Sequence, residues 1–309
     1  MAVSYAGLDP AVLDRLSNLS LVARRVVEGF MAGHHTSPHR GSSVEFAQHR
    51  PYAPGDEQRS IDWKVFARSD RLVVKEYVAE TNLSCHLLLD ASESMDFGSR
   101  GHGPGAWTKF DYARWAAAAM AHLVLGQRDT AGLVVFDEVH RTKVPPANGT
   151  PQEVAILSTL EAAEPGGPTA IGQVLEWLAT RLSRRGIAMV FSDFFDDVDA
   201  ITAGVRRLVY SGHEPILMQI LDPLETSFEL DALLKLEGLE ATGDRRIDPK
   251  AIREAYLEEI RDHRARLARA ARTLSVDFVS VTTDEPLDAV LSAYLSHRSA
   301  RARGRGGGH

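Results

Sequence analysis

The 309-residue chain has one cysteine, Cys85, which excludes an internal disulfide and any multi-cysteine zinc or iron–sulfur site. It also lacks the ~18 unbroken apolar residues of a membrane span. Its longest candidate, residues 113–125, is short and carries Arg114 and His122. The first residues do not have the basic-then-apolar layout of a signal peptide. These absences read as a cytoplasmic chain in a reducing compartment. There is no Gly-x-x-x-x-Gly-Lys-Ser/Thr loop, so the chain is not expected to hydrolyse a nucleotide by itself. Nor is there a Gly-x-Ser-x-Gly nucleophile elbow. Positive charge is in deficit, with 35 Lys+Arg against 42 Asp+Glu and a net charge of -7. That balance argues against a dedicated nucleic-acid binder.

What is present is ordinary globular usage, 44% hydrophobic and 25% charged. The length suits one large domain or two small ones, with a core that needs no staples. Asp9-Pro10 reads as a helix start, with Leu13, Leu16, Val22 and Val26 at helical spacing. Residues 33–43 are polar and loop-like. A mixed segment, 44–81, has a Pro54-Gly55-Asp56 turn and ends in a strand-like run at 72–78.

From Ser84 short apolar runs alternate with helical segments. Strands are expected at 85–89, 131–136, 187–191, 215–221 and 276–281, and helices at 110–125, 170–184, 198–210, 248–274 and 287–295. Asp137-Glu138 turns the chain into a returning strand at 139–144. Thr150-Pro151-Gln152-Glu153 reads as a capping box opening a helix to about 163, and Gly186 as a helix C-terminal cap. Residues 233–247 read as a hairpin with Thr242-Gly243-Asp244 at its tip. The Arg/Gly tail, 298–309, has nothing to bury and reads as disordered. The alternation predicts an α/β fold, a Rossmann-like doubly wound, mostly parallel sheet with one antiparallel edge strand. An N-terminal helix-and-strand extension (1–80) precedes the main domain (81–297).

In such sheets ligands bind at the carboxyl ends of the strands. Asp90 and Asp193 both end a predicted strand. Asp90-Ala91-Ser92-Glu93-Ser94 brings three hard-oxygen side chains out of one loop, and Gly167-Pro168-Thr169 places a threonine where a later helix begins. Two carboxylates and three hydroxyls with no soft ligand suit a hard divalent cation, Mg²⁺ first and Mn²⁺ or Ca²⁺ after it. The competing reading is that Ser92, Ser94 and Thr169 cap their helices. His34, His35, His39 and His49 lack the helical spacing of a zinc site and read as solvated. Cys85 reads as a small core residue.

The Asp90-x-Ser92-x-Ser94, Thr169 and Asp193 elements resemble the metal-ion-dependent adhesion site of von Willebrand factor A-type domains. The upstream run is similar to the signature of the domain of unknown function 58 family. It comprises Glu45-Phe46, Arg50-Pro51-Tyr52-Ala53-Pro54-Gly55-Asp56, Arg59-Ser60-Ile61-Asp62-Trp63-Lys64 and Ala67-Arg68. Leu221-Asp222-Pro223 and Thr283-Asp284-Glu285-Pro286-Leu287 also match that family. The resemblance implies an A-type domain with Ser92, Ser94 and Thr169 as ligands and Asp90 and Asp193 acting directly or through water. It further implies a MoxR-type AAA+ ATPase, or a client offering an acidic side chain, as partner. Where A-type domains often have glycine after the last metal-site aspartate, this chain has Phe194.

Two readings of the 44–68 segment stay open. Its mixed charges and aromatics dock it internally, or Arg50, Tyr52, Asp56, Arg59, Asp62, Trp63 and Arg68 form a partner-binding surface. The expected function is a non-enzymatic, Mg²⁺-dependent interaction module. The rivals are a metal-assisted hydrolase using Asp96, Asp196 or Asp197, and a domain with a vestigial site.

Overall fold

The computed structural model describes residues 19–33, 44–53, 61–79, 83–99, 107–182, 185–229, 234–236, 245–247 and 249–295. Asp9-Pro10, Asp56, Arg59, the hairpin tip and the 298–309 tail lie outside them. The chain divides into two compact units, and the helix at 19–33 belongs to the unit that runs from Ser84 onward.

In that unit β3 (Ser84–Asp90), β4 (Thr130–Phe136), β5 (His140–Ala147), β6 (Ile187–Ser192), β7 (Glu214–Leu221) and β10 (Asp277–Thr282) form a six-stranded sheet in the order β10-β7-β6-β3-β4-β5. Every neighbouring pair is parallel except β4 and β5. This is the predicted doubly wound sheet with one antiparallel edge. Strand β3 is buried along its whole length, so it reads as an unbroken apolar run rather than an alternating one. Its Cys85, Leu87 and Leu89 enter one core, and Leu88 enters the core on the opposite face.

On the first face lies α3 (Lys109–Gly126), with fourteen buried residues. Its run of alanines lets it approach both the sheet and α1 (Leu19–Gly33), whose Val22, Ala23 and Val26 join the same core. A helix covered on both sides has no need of a polar face. α4 (Thr150–Ala162) completes this layer. α5 (Ile171–Arg181), α6 (Val198–Tyr210) and α8 (Pro249–Thr273) cover the other face. The short α7 (Pro223–Ser227) follows β7, and residues 287–295 form α9. The expected hairpin is present as β8 (Leu234–Leu236) against β9 (Arg245–Ile247).

The second unit holds β1 (Val44–Pro51), bulged between Phe46 and Gln48, antiparallel to β2 (Val73–Ala79). Asp62 caps α2 (Trp63–Ser69), its Oδ1 accepting from Lys64 N at 3.0 Å and Val65 N at 3.3 Å. Trp63 is 58% exposed and meets Phe66 edge-on.

Two local expectations are corrected. Thr150 is not a cap. Gly149, at φ +84°, holds that position without a side-chain bond, because Glu153 is engaged by His122 Nδ1 at 2.6 Å and Gln152 by the Ala131 and Pro145 carbonyls. Gly186 is not a helix cap either, since α5 ends at Arg181. A Cβ there would stand 1.9 Å from the Ser84 carbonyl oxygen, so Gly186 is what lets β6 start beside β3.

At the amino ends of the strands His86 and His213 meet edge-on with centroids 5.6 Å apart, and both are buried. His213 Nδ1 has no hydrogen-bond partner among the described residues. Burial, aided by Arg185 and opposed by Gly186, lowers the His213 pKa below 6.5. The unfolded chain then binds the proton more readily than the folded one. This contribution is full above pH about 6.5 and is lost as the pH falls toward the folded value. Between pH 7.5 and 5 the melting temperature of the wild type should therefore fall relative to that of His213→Gln, a comparison in which the contributions of other groups cancel.

Candidate functional site

The carboxyl ends of β3 and β6 bring Asp90 and Asp193 together, as the strand rule requires. Both are fully buried. Asp90 Oδ1 accepts from Ser92 N at 2.9 Å, and Oδ2 from Ser192 Oγ at 2.5 Å. Burial, and then repulsion from Asp193, push the Asp90 carboxyl up to about 7, against the opposing pull of the two serines.

Ser92 begins a single 3-10 turn (Glu93–Asp96), yet its hydroxyl makes no capping bond and instead meets Ser94 Oγ at 3.2 Å. Thr169 is not a cap, because Ala170 holds that position on α5 without a side-chain bond. The capping explanation of the three hydroxyls therefore fails. Thr169 is brought to the same end of the sheet by backbone bonds. Gly166 N donates to Ala91 O, and Glu93 N to Gly167 O, both at 2.8 Å. Gly167 sits at φ +78°, and a Cβ on it would press within 2.9 Å of Asp137 Oδ2. Asp137 holds Arg141, whose guanidinium donates to the Glu164 and Gly166 carbonyls and pins the loop from outside.

Phe194 adopts φ +58°, the left-handed conformation that glycine would take without cost, and its ring is wholly buried in the second core. Its N–H donates to Ser192 Oγ at 2.9 Å, and its carbonyl meets His263 Nε2 at 2.8 Å. The departure from the glycine pattern thus leaves Asp193 in place.

Sequence reasoning missed Lys109. Its ammonium donates at 2.7 Å to Asp193 Oδ2 and at 2.7 Å to Glu225 Oε1, with the lysine and aspartate side chains 1% exposed. Burial opposes the charge, but Asp193 and Glu225 outweigh it and raise the pKa. Glu225 is itself raised by burial despite the lysine. It is held by the capping box of α7, with Asp222 N donating to Oε2 at 2.8 Å. Asp222 also accepts from Ser99 N, on the loop beyond the 3-10 turn. The available signal was a lysine directly after the N-cap Thr108, the helix end where a cation is least welcome.

Among the described residues no three His, Cys, Asp or Glu side chains gather as a metal-holding group. The candidate donor set is two carboxylates and hydroxyls, all hard oxygen. Asp90, Asp193 and Glu225 against Lys109 leave two negative charges if all are ionised, and it is burial first, then repulsion from Asp193, that raises the Asp90 pKa. These residues fit a hard divalent cation. Of the upstream candidates, Tyr52 is half-buried, Asp62 serves as a helix cap, Trp63 and Arg68 are exposed, and Arg50 lies in β1. No helix among the described residues is long and apolar enough to cross a membrane.

The family described as "Protein of unknown function DUF58" matches residues 48–266. The uncharacterized protein Rv1480 of Mycobacterium tuberculosis is 28% identical over 97% of this chain and 93% of its own length. Among solved structures, BatB from Bacteroides thetaiotaomicron aligns with TM-score 0.45 and 15% identity, over 71% of this chain and 99% of its own. An aerotolerance-related membrane protein from Bacteroides fragilis aligns at 0.42 and 18%, over 68% and 96%. The SpRpn10 VWA domain aligns at 0.38 and 12%, over 68% and 93%.

The left-handed Phe194 costs of order 1–3 kcal/mol in backbone strain, while emptying its site costs about 3–5 kcal/mol. Packing therefore wins, and Phe194→Gly should lower stability by about 1–3 kcal/mol in urea denaturation. A stabilised glycine variant would mean that strain dominates.

Proposed function

The chain belongs to the DUF58 family, and we propose that it is a non-enzymatic protein-interaction module. Its binding face is completed by a hard divalent cation, Mg²⁺ or in its place Mn²⁺ or Ca²⁺. It works as adaptor or co-chaperone with a MoxR-type AAA+ ATPase, the partner that the family resemblance implies.

The observation that carries this reading is Asp90. It is fully buried at the end of β3 beside the equally buried Asp193, and burial and that neighbour together raise its pKa. Beside it stand Ser92 and Ser94, whose hydroxyls meet each other and cap nothing. Ser92, Ser94 and Thr169 would hold the ion, with Asp90 and Asp193 supporting from below. The ion would supply an open coordination position for an acidic side chain from the partner. Ser94 and Thr169 are half-buried, so the face that such a side chain would meet reaches solvent.

The chain's own residues keep this face rigid. Ser192 and the Ser92 amide orient Asp90. Gln219 Nε2 donates to the Asp193 carbonyl at 3.0 Å. Two of the three carboxylates of the hydrolase reading have backbone partners. Asp196 accepts from the Asp197 amide, and Asp197 caps α6 through Ala200 N at 2.7 Å.

Metal dependence should show a sign. Asp90's protonated form favours the fold below its ordinary pKa of 3.8, and that contribution is lost as the pH rises through about 7. Millimolar Mg²⁺ should raise the melting temperature strongly at pH 8 and little at pH 5.5. Asp90→Ala should abolish most of the gain, and an equal gain in the variant would sink the metal reading.

Partner binding should weaken in EDTA and recover with Mg²⁺ in a pull-down with a MoxR-type ATPase. Thr169→Ala should lower the affinity with little loss of stability, because it removes one neutral ligand at the rim. A complex that survives complete chelation would place the interface elsewhere, with the exposed Trp63 and Arg68 as the surface to mutate next.

A further inference from the structure

A buried lysine at the first position of a helix works against the helix dipole, so its placement in α3 needs a tertiary reason. Lys109 is ringed by two carboxylates at 2.7 Å and by the Phe97 and Phe195 rings, whose centroids lie 5.8 Å and 4.9 Å from Nζ. Phe97 follows the turn that carries Ser94, and its carbonyl accepts from Lys109 N at 2.9 Å. Phe195 follows Asp193 by two residues, and its N–H donates to Asp193 Oδ1 at 3.1 Å. The ammonium therefore packs under two of the three loops that would contribute metal ligands, and it already holds one of those ligands.

We propose that Lys109 is a built-in counter-ion that sets the divalent-cation affinity of this site by holding Asp193, with Glu225 as the second arm that draws the ammonium away. This rests on the metal reading above.

The physical argument is charge competition in a dry pocket. Lys109 satisfies Asp193 when no divalent ion is bound, so the site keeps its shape and a cation gains less from entering. With the lysine gone, Asp193 and Glu225 lose their buried counter-charge and keep only neutral hydrogen-bond donors, so the attraction for a divalent cation rises. With Glu225 made neutral, the ammonium is left to Asp193 alone, and the attraction falls. The two changes act in opposite directions.

The experiment is calorimetric titration of the full chain with MgCl₂ and with MnCl₂, together with melting temperatures in each. Lys109→Met should tighten binding at least about tenfold and make the fold depend on the cation. Glu225→Gln should weaken it by a similar factor. Because Glu225 acts through the ammonium, Glu225→Gln should change the affinity much less in the Lys109→Met background than in the parent. A parent that binds neither ion, with a Lys109→Met variant that also fails, removes the metal reading and this proposal together. A parent that binds while Lys109→Met binds no tighter overturns this proposal alone. If Lys109→Met folds only when the cation is present, the proposal is supported. If it does not fold in either condition, Glu225→Gln decides: unchanged affinity there overturns the proposal.

Discussion

The ammonium of Lys109 is the constraint around which this end of the molecule is arranged. A charge that is 1% exposed cannot be left to solvent, and it finds Asp193 after β6 and Glu225 on α7 after β7. Three segments distant in sequence are thereby fixed to one point: the start of α3, the end of β6 and the loop after β7. Breaking such a buried set by removing one member typically costs about 3–5 kcal/mol, because the survivors stay buried and unpaired. The same point stands behind the loops of Ser92, Ser94 and Asp193, so the candidate site inherits its shape from the triad.

The remaining contacts around the site carry this rigidity outward. Trp107 Nε1 donates to the Thr283 carbonyl at 2.9 Å, and Tyr112 OH to the Glu285 carbonyl at 3.0 Å, tying α3 to the loop beyond β10. Thr283 N in turn donates to Leu221 O, at the end of β7. Arg141 and Asp137 hold the glycine loop that leads to Thr169. The result is a site whose backbone is bonded on every side while Ser94 and Thr169 still reach the surface. A stiff, half-open set of hard oxygens is suited to recognising a side chain offered from outside, since little ordering entropy is lost on contact.

Much of this was legible in residue order, because its cues are local. Strand β3 announces itself as an unbroken apolar run ending in Asp90. The β4–β5 return follows from two polar residues between two strands, and α6 was placed at 198–210, where Val198–Tyr210 is observed. Asp90, Ser92, Ser94 and Asp193 stand out as candidates in the sequence because each ends a predicted strand or lies in the loop after one. The failures share one cause. Thr150 looked like a cap, but Glu153 had a better partner in His122 on another helix. Gly186 looked like a helix end, but its value lies in a carbonyl on another strand. In both cases a tertiary contact outbid a local rule.

The sequence by itself determined the strand–helix alternation, the doubly wound sheet with its antiparallel edge, and the placing of Asp90 and Asp193 at two strand ends, because periodicity and turn chemistry act over a few residues. Tertiary structure alone decided which charges meet. Lys109 and Glu225 are separated by more than a hundred positions, and each alone reads as an ordinary surface residue. Only folding places them together in a space without water. There an unpaired charge is too costly to persist, and the aspartate at the end of β6 acquires a resident partner.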